Sequence, residues 1–179
     1  RLVRRRGELM QRAGEIAPGG MAAILGLDIP TLDQICADAS NGDDVVEVAN
    51  DNCPGQVVIS GAKPALERAL ELAKAAGARR ALPLAVSIAA HSPLMAAVQA
   101  EFDQALAEAQ ITEASLPVVG NVTASPLKTV VEIESDLRAQ LTSRVRWTES
   151  IQMMIESGVD TFVELGSGSV LAGLLRRID

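Results

Sequence analysis

Apolar and polar residues alternate along this chain with two spacings, one helical and one strand-like, and the switches between them mark the elements. Residues 1–13 follow the helical spacing. At about 100° per residue, Leu2, Val3, Leu9, Met10 and Ala13 share one face, and Arg1, Arg4, Arg5, Glu8, Gln11 and Arg12 share the other. Arg6 breaks the pattern, because it falls in the middle of the apolar stripe. Residues 14–20 (GEIAPGG) read as a loop and 21–27 (MAAILGL) as a short apolar strand. A helix is predicted over 30–40, with Leu32, Ile35 and Cys36 on one side. Strands follow over 44–50 and 56–61, separated by the turn residues DNCPG of 51–55. The clearest helix spans 63–77: Pro64 suits its first turn, Leu66, Ala69, Leu70 and Ala73 line one face, and Gly77 is placed to end it. Residues 79–88 alternate Leu82, Leu84, Val86 and Ile88, as a strand does.

After this strand, Ser92 is a good N-cap and Pro93 a good first helical residue. The helix predicted over 93–109 carries Leu94, Val98, Phe102 and Leu106 on its buried side. A strand at 116–122, helices at 130–142 and 146–157, a strand at 159–165, a GSGS turn and a helix at 170–178 complete the pattern. The order across 21–88 is β-α-β-β-α-β, the ferredoxin-like arrangement. The expected fold class is therefore α/β. Residues 1–20 supply a helix and loop of a large α/β domain, 21–88 form a small inserted subdomain, and 89–179 are the rest of the large domain.

Composition narrows the function classes. The 179 residues are 48% hydrophobic, which suits a globular chain, and no apolar run approaches the ~18 residues of a membrane span. A net charge of -7, an aromatic content of 2% and the absence of tyrosine argue against nucleic acid, which needs a basic surface or stacking rings. Cys36 and Cys53 lack metal-ligand spacing, and two reduced thiols in a cytoplasmic protein is the favoured reading. The opening residues RLVRRRGELMQ already read as mid-helix and no initiator methionine precedes them, so a fragment of a longer chain is expected.

Three places could carry chemistry. His91, in VSIAAHSPLM, is the only histidine. A lone histidine at a helix start is commonly an ordinary surface or satisfied residue. Here a strand delivers it to a sheet end, where α/β folds place their sites. The helix N-terminus beyond it disfavours the imidazolium, which helps keep the ring a proton acceptor. A base needs a nucleophile, yet no serine sits in a G-x-S-x-G elbow and neither cysteine is well placed. Arg6 has two readings, a snorkelling side chain at the edge of a buried face or a cation awaiting an anionic ligand. Asn50, Asp51 and Asn52 cluster at a strand end before Pro54-Gly55; a hairpin turn there is compatible with ligand-facing side chains. Gly166-Ser167-Gly168 lacks the remaining glycine of a phosphate loop and reads as a tight turn, and Arg4-Arg5-Arg6 is too short for a basic patch.

Taken together, RGELMQ, GGMAAILGL, NDNCPGQVVISG, ARRALPLAVSIAAHSPLM, QLTSRVRWTESI and FVELGSGSVLAGLLRRI resemble the malonyl-CoA:acyl-carrier-protein transacylases of fatty acid synthesis. The acyltransferase domains of polyketide synthases are close relatives of these. The likeness runs in register from Arg1 to Ile178. It implies an α/β-hydrolase-like core with an inserted ferredoxin-like subdomain. It also implies ping-pong transfer of malonyl from coenzyme A to a serine and then to the phosphopantetheine thiol of acyl carrier protein. No cofactor is implied, since the coenzyme A thioester is a substrate. The partners implied are malonyl-CoA and acyl carrier protein, with no nucleic acid and no membrane.

Residue by residue, His91 matches the family's catalytic histidine and Arg6 the arginine that grips the malonyl carboxylate. Gln140 matches the residue whose backbone carbonyl orients the histidine, and Asn50 and Asn52 match asparagines beside the ligand. The family's serine, in a GHSxGE-type elbow, falls outside this sequence, so the 179 residues alone are expected to be inactive. Two positions depart from the family pattern. Ser167 stands where proline is usual, and Ala89-Ala90 precede the histidine where the pair tracks acyl-chain choice. Two alternatives stand beside the main reading: an acyltransferase domain of a polyketide synthase, and a non-catalytic binding module built on the ferredoxin-like unit.

Overall fold

A computed structural model describes residues 1–179. It contains helix α1 (Leu2–Ile16), strand β1 (Gly19–Leu25), α2 (Ile29–Ala39), β2 (Val46–Cys53), β3 (Gln56–Ala62), α3 (Lys63–Ala75) and β4 (Arg80–Pro83). A 3-10 helix (Pro93–Val98) leads into α4 (Gln99–Ala107). The remainder is β5 (Val118–Val119), β6 (Pro126–Leu127), α5 (Val130–Ala139), β7 (Val145–Arg146), α6 (Trp147–Glu156) and α7 (Val170–Leu175).

The main sheet has the order β4-β1-β3-β2-β7. Neighbours among the first four strands are antiparallel, and β7 adds in parallel beside β2. Alternation sends Ala22, Ile24, Val46, Val48, Val57 and Ile59 to one face, where α2 and α3 cover them with Leu32, Ile35, Leu66, Ala69, Leu70 and Ala73. Asp28 caps α2 by accepting from the Thr31 N–H at 3.0 Å. Pro54-Gly55 makes the tight β2–β3 turn, with Gly55 at φ 70°. Asn50, Asp51 and Asn52 thus lie inside β2 rather than in a turn, because pairing with β3 continues to Cys53.

A second core holds Leu9, Ala13, Met95, Val98, Phe102 and Leu141, with Leu2 and Met10 at its edge. It joins α1, the 3-10 helix, α4 and the end of α5. Val3, expected on the buried face of the first helix, is 83% exposed, since it lies to one side of this contact. The helix predicted over 93–109 is divided at Val98, where the backbone leaves helical geometry (φ -114°, ψ 4°). Met95 is buried there and Leu94 only partly so.

Several predicted strands are shorter than their patterns. The stretch expected at 79–88 is a strand beside β1 only over Arg80–Pro83, with one further bond from the Leu84 N–H to the Met21 carbonyl at 2.9 Å, and Leu82, Leu84 and Val86 remain exposed. Residues 116–122 contribute only the two-residue β5. Residues 159–165 form no strand, and Val163 and Leu165 are 75% and 91% exposed. The alternation is real, but a strand needs a neighbour to bond its N–H and C=O groups, and strand pairing reaches only the short parts of these stretches that form β4 and β5 and none of 159–165.

Candidate active site

The approach to His91 is built from close backbone packing. A Cβ on Gly14 of α1 would lie 2.7 Å from Ile88 Cγ2, and one on Gly19 would lie 2.7 Å from Ala89 Cβ. Only glycine lets α1 and β1 sit this near the segment that delivers the histidine. Ala89 and Ala90 are both buried. Ser92, expected to cap the following helix, instead donates its hydroxyl back to the Ala89 carbonyl at 2.7 Å and makes no capping bond. The turn so closed holds His91 at φ 57°, a left-handed conformation that few side-chain-bearing residues adopt.

The ring is gripped by backbone. His91 Nδ1 lies 2.9 Å from the Gln140 carbonyl oxygen and 3.1 Å from that of Ser143. Both partners are acceptors only, so Nδ1 carries the proton and donates to them. In the neutral ring the lone pair is then on Nε2. Burial is the largest influence on the imidazole and holds its pKa below the ordinary value; the Arg6 charge pushes the same way, and the two carbonyl bonds oppose them. The net result is a ring kept neutral and able to take a proton at Nε2.

Arg6 stands apart from the other arginines of α1. Arg4 bonds Glu8 at 2.9 Å, Arg5 bonds Glu101 at 3.1 Å, and Arg12 pairs with Glu101. Arg6 has no carboxylate within ion-pair distance, its Nε is buried without a hydrogen-bond partner, and burial lowers its pKa. An unpaired, half-buried guanidinium beside a neutral imidazole is a costly arrangement unless an anion completes it.

Gln140 is the C-cap of α5, and its side chain donates to the buried Asp136 carboxylate at 3.0 Å. Asn50 is half-buried, and its backbone pairs with Val145, two residues beyond Ser143. Asn52 is also half-buried, but no strand pairing or hydrogen bond links it to His91. The structure therefore brings Arg6, His91 and Gln140 together, sets Asn50 beside the strand that follows the carbonyl loop, and leaves Asn52 farther along β2.

Sequence reasoning missed Ser143 as the second acceptor, since a backbone carbonyl has no side-chain signature. It also missed the Thr148 hydroxyl, which bonds Asp51 at 2.6 Å across β2 and α6. Both cysteines are free and buried, and burial pushes the Cys36 thiol up to about 12, which leaves it unreactive. No three His, Cys, Asp or Glu side chains gather as metal ligands.

The acyl transferase domain family matches residues 1–177. The malonyl CoA-acyl carrier protein transacylase of Staphylococcus aureus is 41% identical over 179 residues, covering 100% of this chain and 58% of that protein. The crystal structure of an acyl carrier protein S-malonyltransferase from Vibrio cholerae superposes with a TM-score of 0.95 at 45% identity, over 99% of this chain and 57% of that one. A malonyl-transacylase solved in complex with a type II PKS acyl-carrier protein gives 0.94 at 42% identity, over 99% and 57%. The chain thus spans somewhat more than half the length of these relatives. With nearly every residue in register with that family, the chain belongs to the acyl transferase domain family.

Proposed function

We propose that the chain forms the His91-bearing part of a malonyl-CoA:acyl-carrier-protein acyltransferase of fatty acid biosynthesis. The observation that carries this reading is Arg6, a half-buried guanidinium with no protein carboxylate, whose charge acts on the sole histidine. A malonyl thioester supplies what that pair lacks: a free carboxylate for the planar guanidinium fork and, across a single methylene, a thioester carbonyl to be attacked. Superposition on an S-malonyltransferase supports the same substrate.

Each residue then has a role. No serine here has glycines two positions to either side, so the acyl-serine is taken to come from outside these 179 residues. That serine Oγ attacks the thioester carbonyl as its proton passes to His91 Nε2. The tetrahedral intermediate collapses, the C–S bond breaks, and the coenzyme A sulfur receives the proton. The carrier's phosphopantetheine thiol next gives its proton to Nε2 and attacks the acyl-serine, and the proton returns to the serine. Throughout, the Gln140 carbonyl holds Nδ1–H, with Ser143 as a second acceptor, in the place a triad carboxylate would take. Asn50 and Asn52 face the thioester-bearing ligand, and no cofactor is required.

The domain reading follows the same lines. Residues 1–20 and 89–179 belong to an α/β-hydrolase-like large domain, and 21–88 to a ferredoxin-like subdomain. The order β4-β1-β3-β2 and the separate core beneath α2 and α3 support that division. Two free, buried thiols support a reducing cytoplasm. A polyketide carrier as acceptor is the second reading, favoured by the likeness to a transacylase solved with such a carrier.

The test is Arg6→Ala in the enzyme that carries this chain, assayed for transfer of malonyl and of acetyl to carrier protein. Loss of one charge-assisted bidentate contact is expected to cut malonyl kcat/KM by about 100-fold. Acetyl, which has no free carboxylate, should change little. Equal losses for both acyl groups would overturn the role of Arg6.

A further inference from the structure

The two carbonyls that hold His91 lie on a short loop, residues 140–144, between α5 and β7. At its first end the loop is anchored by α5 and by Leu141, which is buried in the second core. At its other end the backbone anchors are few: the β7 pairing and one bond from the Arg146 N–H to the Asn121 carbonyl at 3.1 Å. Strand β7 is two residues long and meets β2 only at Asn50–Val145 and Asp51–Arg146. Two paired residues are a weak clamp for a loop whose position decides where an imidazole points.

Arg144, next to Ser143, supplies what this pairing lacks. Its Nε–H donates to the Val48 carbonyl at 3.2 Å, and its Nη2 pairs with Asp33 of α2. The register of β2 shifts between Val48 and Asn50, and the Val48 carbonyl lies at this irregularity. One side chain thus ties the carbonyl loop to a strand and to a helix of the 21–88 unit. The rigid guanidinium serves both contacts at once from two separate nitrogens, Nε and Nη2, in a fixed geometry that a single ammonium nitrogen does not offer.

We infer that Arg144 is a positioning residue for His91: by bonding the Val48 carbonyl and Asp33, it fixes the Ser143 and Gln140 carbonyls and so keeps the ring in its Nδ1–H form. The small unit then governs the proton state of a histidine it does not itself contain. The inference concerns the ring alone and stands or falls separately from the acyl-transfer reading.

Nitrogen-15 NMR of the imidazole tests it in the polypeptide that carries this chain, with His91→Gln used to assign the signals. In the parent protein the neutral ring should show one protonated Nδ1, slow to exchange with solvent. Arg144→Ala should bring in the Nε2–H form and speed Nδ1–H exchange by about tenfold, the factor expected for one lost charge-assisted hydrogen bond. Arg144→Lys keeps the charge toward Asp33 but lacks the Nε–H donor, so it should recover only part of the effect. Asp33→Asn, on the exposed side of α2, disturbs folding least and should move exchange in the same direction as Arg144→Ala. Unchanged tautomer and exchange in folded Arg144→Ala and Asp33→Asn would overturn the inference and leave α5, Leu141 and the backbone bonds of β7 to hold the loop.

Discussion

Replacing Phe102 with alanine tests whether one packed cluster holds the candidate site together. Phe102 heads the large, fully buried side chains of the chain, and it shares its core with Leu9, Ala13, Met95, Val98 and Leu141. Those neighbours belong to the elements that carry the site. Leu9 is one turn from Arg6 on α1, Met95 and Val98 follow the His91 turn, and Leu141 follows Gln140. Withdrawing the ring from water accounts for about 2–3 kcal/mol. The cavity left behind adds to this, so Phe102→Ala should cost about 3–5 kcal/mol in all. That is a large part of the roughly 5–15 kcal/mol a domain has. Phe102→Leu, which keeps most of the volume, should cost about 1.5 kcal/mol or less. The assay is urea unfolding followed by circular dichroism, with the slope held common so that the midpoint reports stability. Because the cluster touches all three elements, Phe102→Ala should also loosen the His91 ring, read as faster exchange of its Nδ1 proton. A loss below about 0.5 kcal/mol, the scale of ordinary surface substitutions, with an unchanged ring would refute the claim that this cluster positions the site.

Other predictions follow from the same geometry. The two glycines of α1 should respond to alanine with opposite signs: at Gly7 a Cβ meets nothing within 4 Å, so Gly7→Ala should stabilise the helix by about 0.5–1 kcal/mol. At Gly14 the added methyl strikes Ile88 and the Ser87 carbonyl, so Gly14→Ala should lower the urea midpoint despite its better helix propensity. His91 has a lower pKa folded than unfolded, so between the two values the unfolded chain binds more protons and stability rises as pH rises. The contribution is present above the unfolded value of about 6.5 and is lost as pH drops through the folded one; His91→Gln should remove that slope from urea midpoints measured across the range. Arg6→Ala removes a charge that opposes protonation, so the NMR-monitored titration of His91 should move upward.

Much of the fold was legible because its elements have two clear sides. Periodicity located every helix longer than one turn and the β-α-β-β-α-β order of 21–88, since those elements bury one face against a core made within the unit itself. It failed where pairing, not burial, decides. Strand β7 is too short to show a period, and its existence depends on the edge that β2 offers. Conversely, 159–165 has a strand's alternation and no strand's structure, because alternation records which side chains could be covered and not which backbone edge is at hand.

The site divides in a similar way. Arg6 could be singled out from the sequence because a charge at an apolar position is a side-chain signal, and no protein carboxylate pairs with it. His91 could be singled out because there is only one. Its orientation could not, because the groups that set it are backbone carbonyls, which every residue has. Gln140 was reached through family resemblance alone, and Ser143 was not reached at all. The left-handed turn at His91 is equally silent, since most histidines, though enriched there, lie outside that region. What fixes the proton on Nδ1 is thus the path of the chain through residues 140–145. That path depends on α5, on a two-residue strand and on the reach of Arg144, so the chemistry at His91 is determined by contacts that residue identity does not announce.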